Sequence, residues 1–312
     1  MVQIVSIGVA AGAASALLFA SFASGSLLSI PLFYLAPLPI LIAALGWSHL
    51  AAIIAATVAA LALAFIFGGF FFISFLIGIG LPAWWLGYLA LLARPVPNGG
   101  SESVEWYPVG RLVSWAAVLS AGVVSLVMLT IATDAETLRT TLQRAFEPMF
   151  RGQTRLPGML VEYPHLVLPP AAGVLTTMVS VFDLWLAGRV VRTSGRLRRP
   201  WPDIAALSFP PAMLPVLAAA LVGSLVLSGM AGILATVLTA ALLTAFGLLG
   251  LAVLHTLTRA VNGRGLVLGS VYGAIAVFGW PLLLMTLLGV ADALLDLRGR
   301  AARRGPPPQL KS

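Results

Sequence analysis

The last hairpin of the chain, from Phe246 to Arg304, leaves it one environment. It reads Gly250-Leu-Ala-Val-Leu-His255, a short basic turn with Arg259 and Arg264, and then a long apolar run. That run ends in Leu288-Gly-Val-Ala-Asp-Ala-Leu-Leu-Asp-Leu-Arg-Gly-Arg300. Two apolar helices of this length, with ionisable residues only near their ends, are membrane spans. The rest of the chain agrees. Hydrophobic residues make up 60% of it and charged residues 9%, with a mean hydropathy of +1.03. A soluble domain carries about 25% charged residues, because it needs a polar shell, and this chain has no such shell.

The net charge of +8 is almost all arginine, with Lys311 the only lysine. These residues gather in loops and tail, where they read as topology determinants. A nucleic-acid patch needs a solvated face with supporting aromatics, so no nucleic-acid partner is expected. The absence of cysteine excludes disulfides, thiolate metal sites and a cysteine nucleophile. Ser21-Phe22-Ala23 imitates a signal-peptidase site, but the basic region that should precede it is missing, and a retained first span is expected.

Nine apolar segments follow from hydropathy: Ile4–Phe22, Ile30–Gly46, His49–Phe67, Phe70–Leu92, Leu112–Thr133, Leu166–Gly188, Ile204–Leu227, Gly229–Thr256 and Leu266–Leu295. Helices satisfy their own backbone in lipid, so the fold class is all-α, a polytopic transmembrane helical bundle of eight or nine spans. Residues 1–297 form the membrane domain, and residues 298–312 read as a basic, disordered tail. Several segments carry interruptions. Pro31, Pro37 and Pro39 break the second, Gly78 to Pro82 bend the fourth, and Pro210, Pro211 and Pro215 break the entrance of the seventh. The loop from Arg94 to Arg111 has turn chemistry and is expected to be flexible. After Asp134, Thr133 with Glu136 gives a capping box. Leu138, Leu142, Ala145 and Met149 then mark one face of a helix lying on the membrane surface.

Small residues at spacing four suggest close helix contacts. They occur as Gly8 and Gly12 in the first segment, from Ser224 to Thr244 in the eighth, and as Gly265, Gly269 and Gly273 in the ninth. The last two stripes predict that the eighth and ninth helices pack against each other. Orientation stays open. With nine spans, Arg94, Arg111, the five arginines of the Arg189–Arg199 loop, Arg259 and Arg264 face one side, and an equal number of basic residues faces the other. If the seventh segment were re-entrant, the basic loop and the tail would share a side. The Arg189–Arg199 loop is expected in the cytoplasm in both cases.

No phosphate loop, paired-histidine zinc motif or nucleophile elbow is present. No enzymatic activity, ATPase included, and no metal or cofactor is therefore expected. The residues that invite a functional reading are ionisable groups within apolar segments. Asp183 and His255 lie at offsets that put them at comparable depth if the seventh segment spans, where a carboxylate and an imidazole could pair as a ligand-binding or proton-linked site. Asp292 and Asp296, four apart, form a second candidate, with an interfacial anchor to Arg298 and Arg300 as the structural alternative.

Gly250-Leu-Ala-Val-Leu-His255 resembles the "GLAVVH" stretch of the YybS-like family of bacterial multi-pass membrane proteins. Leu288-Gly-Val-Ala-Asp292 followed by Leu295-Asp296-Leu297-Arg298 resembles that family's "LGLxDxxFDFR" ending, with Leu295 and Leu297 in place of its aromatics. Ala36-Pro37-Leu38-Pro39 is similar to its "PLP" element. The family is distantly similar to the S components of energy-coupling-factor transporters. The resemblance implies the inner membrane of a bacterium, a small-molecule pocket among the helices, and coupling to a separate transporter ATPase. The function expected is a transport-related, small-molecule-binding membrane subunit. Alternatives are a membrane scaffold or assembly protein and, with least support, an intramembrane enzyme.

Overall fold

A computed structural model describes residues 1–98, 101–150, 162–259 and 261–304. Helices dominate, and among the described residues seven helices or helix pairs are long and apolar enough to cross a membrane. The first is α1 (Val2–Ala20) with a 3-10 turn over Ser21–Ser24. The second is broken into α2 (Ser29–Tyr34) and α3 (Pro37–Gly46) at the prolines, and the Ser15 hydroxyl of α1 donates to the Ala36 carbonyl at the break. The third is α4 (His49–Phe67). The fourth comprises α5 (Gly69–Phe75), a π-turn over Leu76–Gly80 and α6 (Leu81–Ala90). Such a turn absorbs the donor lost at Pro82.

The fifth crossing is α7 (Val109–Ile131), followed by the surface helix α8 (Ala135–Phe150) and the long α9 (Pro164–Thr193). The cap of α8 is Asp134 rather than Thr133, since both the backbone N–H and the hydroxyl of Thr137 donate to its carboxylate. Leu138 and Leu142 are buried as expected, while Ala145 is exposed and Phe146 joins the core instead. Between α6 and α7 the expected flexible loop is an antiparallel hairpin, β1 (Ala93–Asn98) and β2 (Ser101–Trp106), closed by an Arg94–Glu105 ion pair. Both strands are edges, so Pro95 and Pro97 need not donate inward.

Gly8 and Gly12 of α1 meet the backbone of α4 at Ala51 and Ala55, so these two helices run parallel in close contact. The constant offset requires one return crossing between them, which α2 and α3 provide. Asp203 bonds Arg259, Ala205 accepts from Thr256, and the rings of Phe209 and Phe246 meet edge to face at 5.1 Å. From there α10 (Met213–Val226) continues to the start of α11 (Gly229–Leu257), where Gly223 adjoins Ala235. The chain from Asp203 to Val226 thus runs the whole length of α11, about 43 Å at 1.5 Å per residue. The seventh segment therefore runs from one end of the bundle to the other, with Leu207 to Ala212 unwound.

The ninth segment does not form the single helix expected. Gly279, at φ 71°, and Trp280 divide it into α12 (Arg264–Phe278) and α13 (Pro281–Leu295). Gly250 and Gly289 touch backbone to backbone, and Thr286 donates to the Leu243 carbonyl at 3.1 Å. These contacts align α13 parallel to α11, with the start of α13 level with the middle of α11. The ninth segment is therefore a re-entrant hairpin that enters and leaves at one end of the bundle. Gly265, Gly269 and Gly273 meet nothing within 4 Å, so the predicted contact between the last two stripes is not the one made. The glycines that matter are Gly250 and Gly289.

The tail is not wholly irregular. Residues Leu297–Arg304 form α14, turned by Asp296 in the left-handed region at φ 49°; residues 305–312 lie outside the described residues. Eight crossings place both described termini at one end. That end collects Arg94 and Arg111, the five arginines of the basic loop, Arg259 and Arg264, and the four of α14. Among the described residues, Arg139 and Arg144 on α8 stand at the other.

Candidate functional site

The arginine-rich end holds a cavity of about 800 Å³ between α7, α9, α11 and the segment from Trp201 to Leu207. Its inner walls are apolar, with Leu112 and Val113, Val181 and Leu184, and Leu248 and Leu251 facing it from three helices. Gly173 of α9 packs on the Val237 backbone of α11, and the two helices run parallel because α10 returns between them. Irregular backbone at this depth needs other partners. The Ala205 carbonyl finds two, Thr256 Oγ1 at 2.9 Å and Arg298 Nη1 at 3.0 Å.

Polar groups line the mouth. Arg199 donates to the Ala90 carbonyl at 3.0 Å and the Tyr107 carbonyl at 3.3 Å, which ties the basic loop to both ends of the β-hairpin. Its Nε has no partner, and burial pushes the guanidinium below its ordinary range. Arg259 pairs with Asp203 at 2.9 Å, and that hydrogen bond holds the Asp203 carboxyl below its usual range. Arg264 reaches the carbonyl and Nδ1 of His255, each at 3.4 Å. The other ring nitrogen of His255 bonds the Tyr272 hydroxyl at 2.9 Å. Outside the cavity, Arg189 and Arg192 lie 5.6 and 5.1 Å from the ring of Trp201, as cation–π contacts.

The structure does not bring Asp183 and His255 together. Asp183 is fully buried on α9, and neither carboxylate oxygen has a hydrogen-bond partner. It stands ten residues before the end of α9, whereas His255 stands two before the end of α11. At 1.5 Å per residue this is a difference in depth of about 12 Å. The expectation of equal depth took Arg189 as the helix end, but α9 continues to Thr193 and carries Arg189 and Arg192 on its last turns.

Asp292 and Asp296 are not a shared site either, because α13 stops at Leu295 and Asp296 turns away. Asp292 is gripped by Arg298, whose backbone N–H, Nε and Nη2 lie 3.0, 3.0 and 2.8 Å from its oxygens. Asp296 caps Gly299 and pairs with Arg303 at 3.3 Å. This is the anchor reading, with Arg303 in the place expected for Arg300. No group of three or more potential metal ligands occurs among the described residues.

Of the sequence candidates, only His255 lines the cavity. Arg199, Arg264 and Tyr272 were missed: the arginines were legible only as topology markers, and the tyrosine stood in an apolar run with no spacing signal. Comparison with family models, with curated proteins and with solved structures finds no match for this chain.

Proposed function

We propose that the chain is a transport-related membrane protein that holds a small molecule in the cavity at its arginine-rich end. In this reading it is an S-component-like subunit of a bacterial inner membrane, working with a separate ATPase or coupling subunit, as the resemblance to the YybS-like family implies. One observation carries it: the cavity is walled by the irregular entrance of the seventh segment, from Trp201 to Leu207, with a re-entrant hairpin contributing Arg264 and Tyr272 beside it. Interrupted helices at membrane depth are the usual means by which transporters present backbone and side chains to a substrate. Its size is that of a site for a small organic ligand.

The test is native mass spectrometry and solvent extraction of the chain purified in mild detergent. A stoichiometric small molecule, lost from a Leu251→Trp variant that fills the cavity, is the expected result. An empty cavity together with one stoichiometric crosslinked protein would favour the scaffold reading instead.

A further inference from the structure

The chemistry of the cavity lining narrows the ligand class. Three guanidinium groups, Arg199, Arg259 and Arg264, border the cavity, against a single carboxylate, Asp203. Asp203 is taken by Arg259. Arg199 and Arg264 have only neutral acceptors, two carbonyls for one and the backbone and ring of His255 for the other. Each also keeps a buried Nε with no acceptor. With His255 neutral, the lining carries an excess of two positive charges. Both side chains are half-buried, and a cation partly withdrawn from water without a counter-charge is destabilised, which an anion bound beside it would relieve. Guanidinium groups favour carboxylate and phosphate oxygens, which accept two parallel N–H bonds.

The charges are also segregated. Arg199, Arg259, Arg264, His255 and Tyr272 stand at the end of α11 and around the mouth, while Leu112, Val113, Val181, Leu184 and Leu248 lie deeper. A small hydrophilic anion would leave those walls unoccupied, and a neutral lipid tail would leave the arginines uncompensated. Resting on the ligand-binding reading above, we propose that the cavity takes an amphipathic anion, with a phosphate or carboxylate head at Arg199 and Arg264 and an apolar body against α7, α9 and α11. Such a molecule is either a soluble acid with an apolar body or an acidic lipid entering from the bilayer.

The full chain is reconstituted in phosphatidylcholine nanodiscs and titrated with four probes: octyl phosphate, octanoate, octyltrimethylammonium and inorganic phosphate. Quenching or shift of tryptophan fluorescence is the readout, because Trp185 and Trp201 line the cavity. Octyl phosphate and octanoate should bind at least tenfold more tightly than octyltrimethylammonium or inorganic phosphate. Arg264→Gln should remove most of that preference. Arg199→Gln should do the same, and Arg199→Lys, which keeps the charge if the carbonyl bridge weakens, should restore part of it.

Adding phosphatidylglycerol to the discs identifies the source. Competition with octyl phosphate assigns a lipid, and its absence assigns a soluble amphiphile. Equal binding of the cationic and anionic octyl probes would overturn the anion assignment while sparing the pocket. Inorganic phosphate binding as tightly as octyl phosphate would overturn the amphipathic part. Failure of every octyl probe to bind would overturn both this inference and the ligand-binding reading beneath it.

Discussion

Thr256 and Arg298 donate to one acceptor, the carbonyl oxygen of Ala205. That single atom joins the end of α11, the irregular entrance of the seventh segment and the helix after the re-entrant hairpin. Arg298 can serve it only because Asp292 holds the guanidinium in place, with side chains 17% and 5% exposed respectively. Removing one member of a buried pair strands the other charge, at a cost of about 3–5 kcal/mol. Asp292→Ala should therefore lower the midpoint of thermal unfolding sharply, followed by circular dichroism in detergent. The double variant Asp292→Leu with Arg298→Met should recover much of the loss. An Asp292→Ala protein as stable as the parent would contradict the anchor.

The contact between α11 and α13 makes a second prediction. A side chain at Gly250 would strike the Met285 carbonyl, and one at Gly289 would strike the Phe246 carbonyl. Overpacking of this kind costs about 1–3 kcal/mol even where side chains give way, and backbone gives way less. Gly250→Leu and Gly289→Leu should each destabilise the protein. Gly269→Leu, at an open position of α12, should change stability by no more than about 0.5 kcal/mol. Parallel thermal melts decide it, and the reverse ranking would put the helix contact elsewhere.

Asp183 makes a third. A buried polar group without a partner costs about 1–3 kcal/mol, and both its oxygens are in that position. Asp183→Leu should raise the unfolding temperature. If ligand retention falls in the same variant, the carboxyl is kept for function at the expense of stability. A lowered unfolding temperature would mean that the carboxyl stabilises the fold.

Much of this architecture was legible in the sequence, for a physical reason. Lipid forces each crossing to announce itself by length and hydropathy, and proline at Pro37 and Pro82 marks a break whatever surrounds it. The ninth segment escaped because Gly279-Trp280-Pro281 sits in an unbroken apolar run, where a half-crossing and a full one have the same hydropathy. Gly8 and Gly12 do mark a close contact, but the stripes of the last two segments misled for a related reason: spacing four says that a helix could approach, but not which one does, and Gly269 faces no neighbour while Gly250 does. The same gap hid the candidate site. Arg199 and Arg264 are recognisable as loop cations, but nothing local records that tertiary folding sets them at one cavity whose carboxylate, Asp203, is already paired with Arg259.

The re-entrant hairpin fixes which residues share an end, and with it the arginine count and the position of the cavity. Arginine density predicts that this end faces the cytoplasm. Because the chain contains no cysteine, single cysteines can be read without background. The most direct test places them before and after the hairpin, as Val261→Cys and Ala301→Cys, with Ser194→Cys in the basic loop and Thr133→Cys at the opposite end as references. Intact cells are treated with a membrane-impermeant thiol reagent, then permeabilised and treated again. Cysteines at 261, 301 and 194 should all be protected until permeabilisation, while the one at 133 reacts at once. Opposite labelling of 261 and 301 would show that the ninth segment crosses the membrane, and would contradict the account.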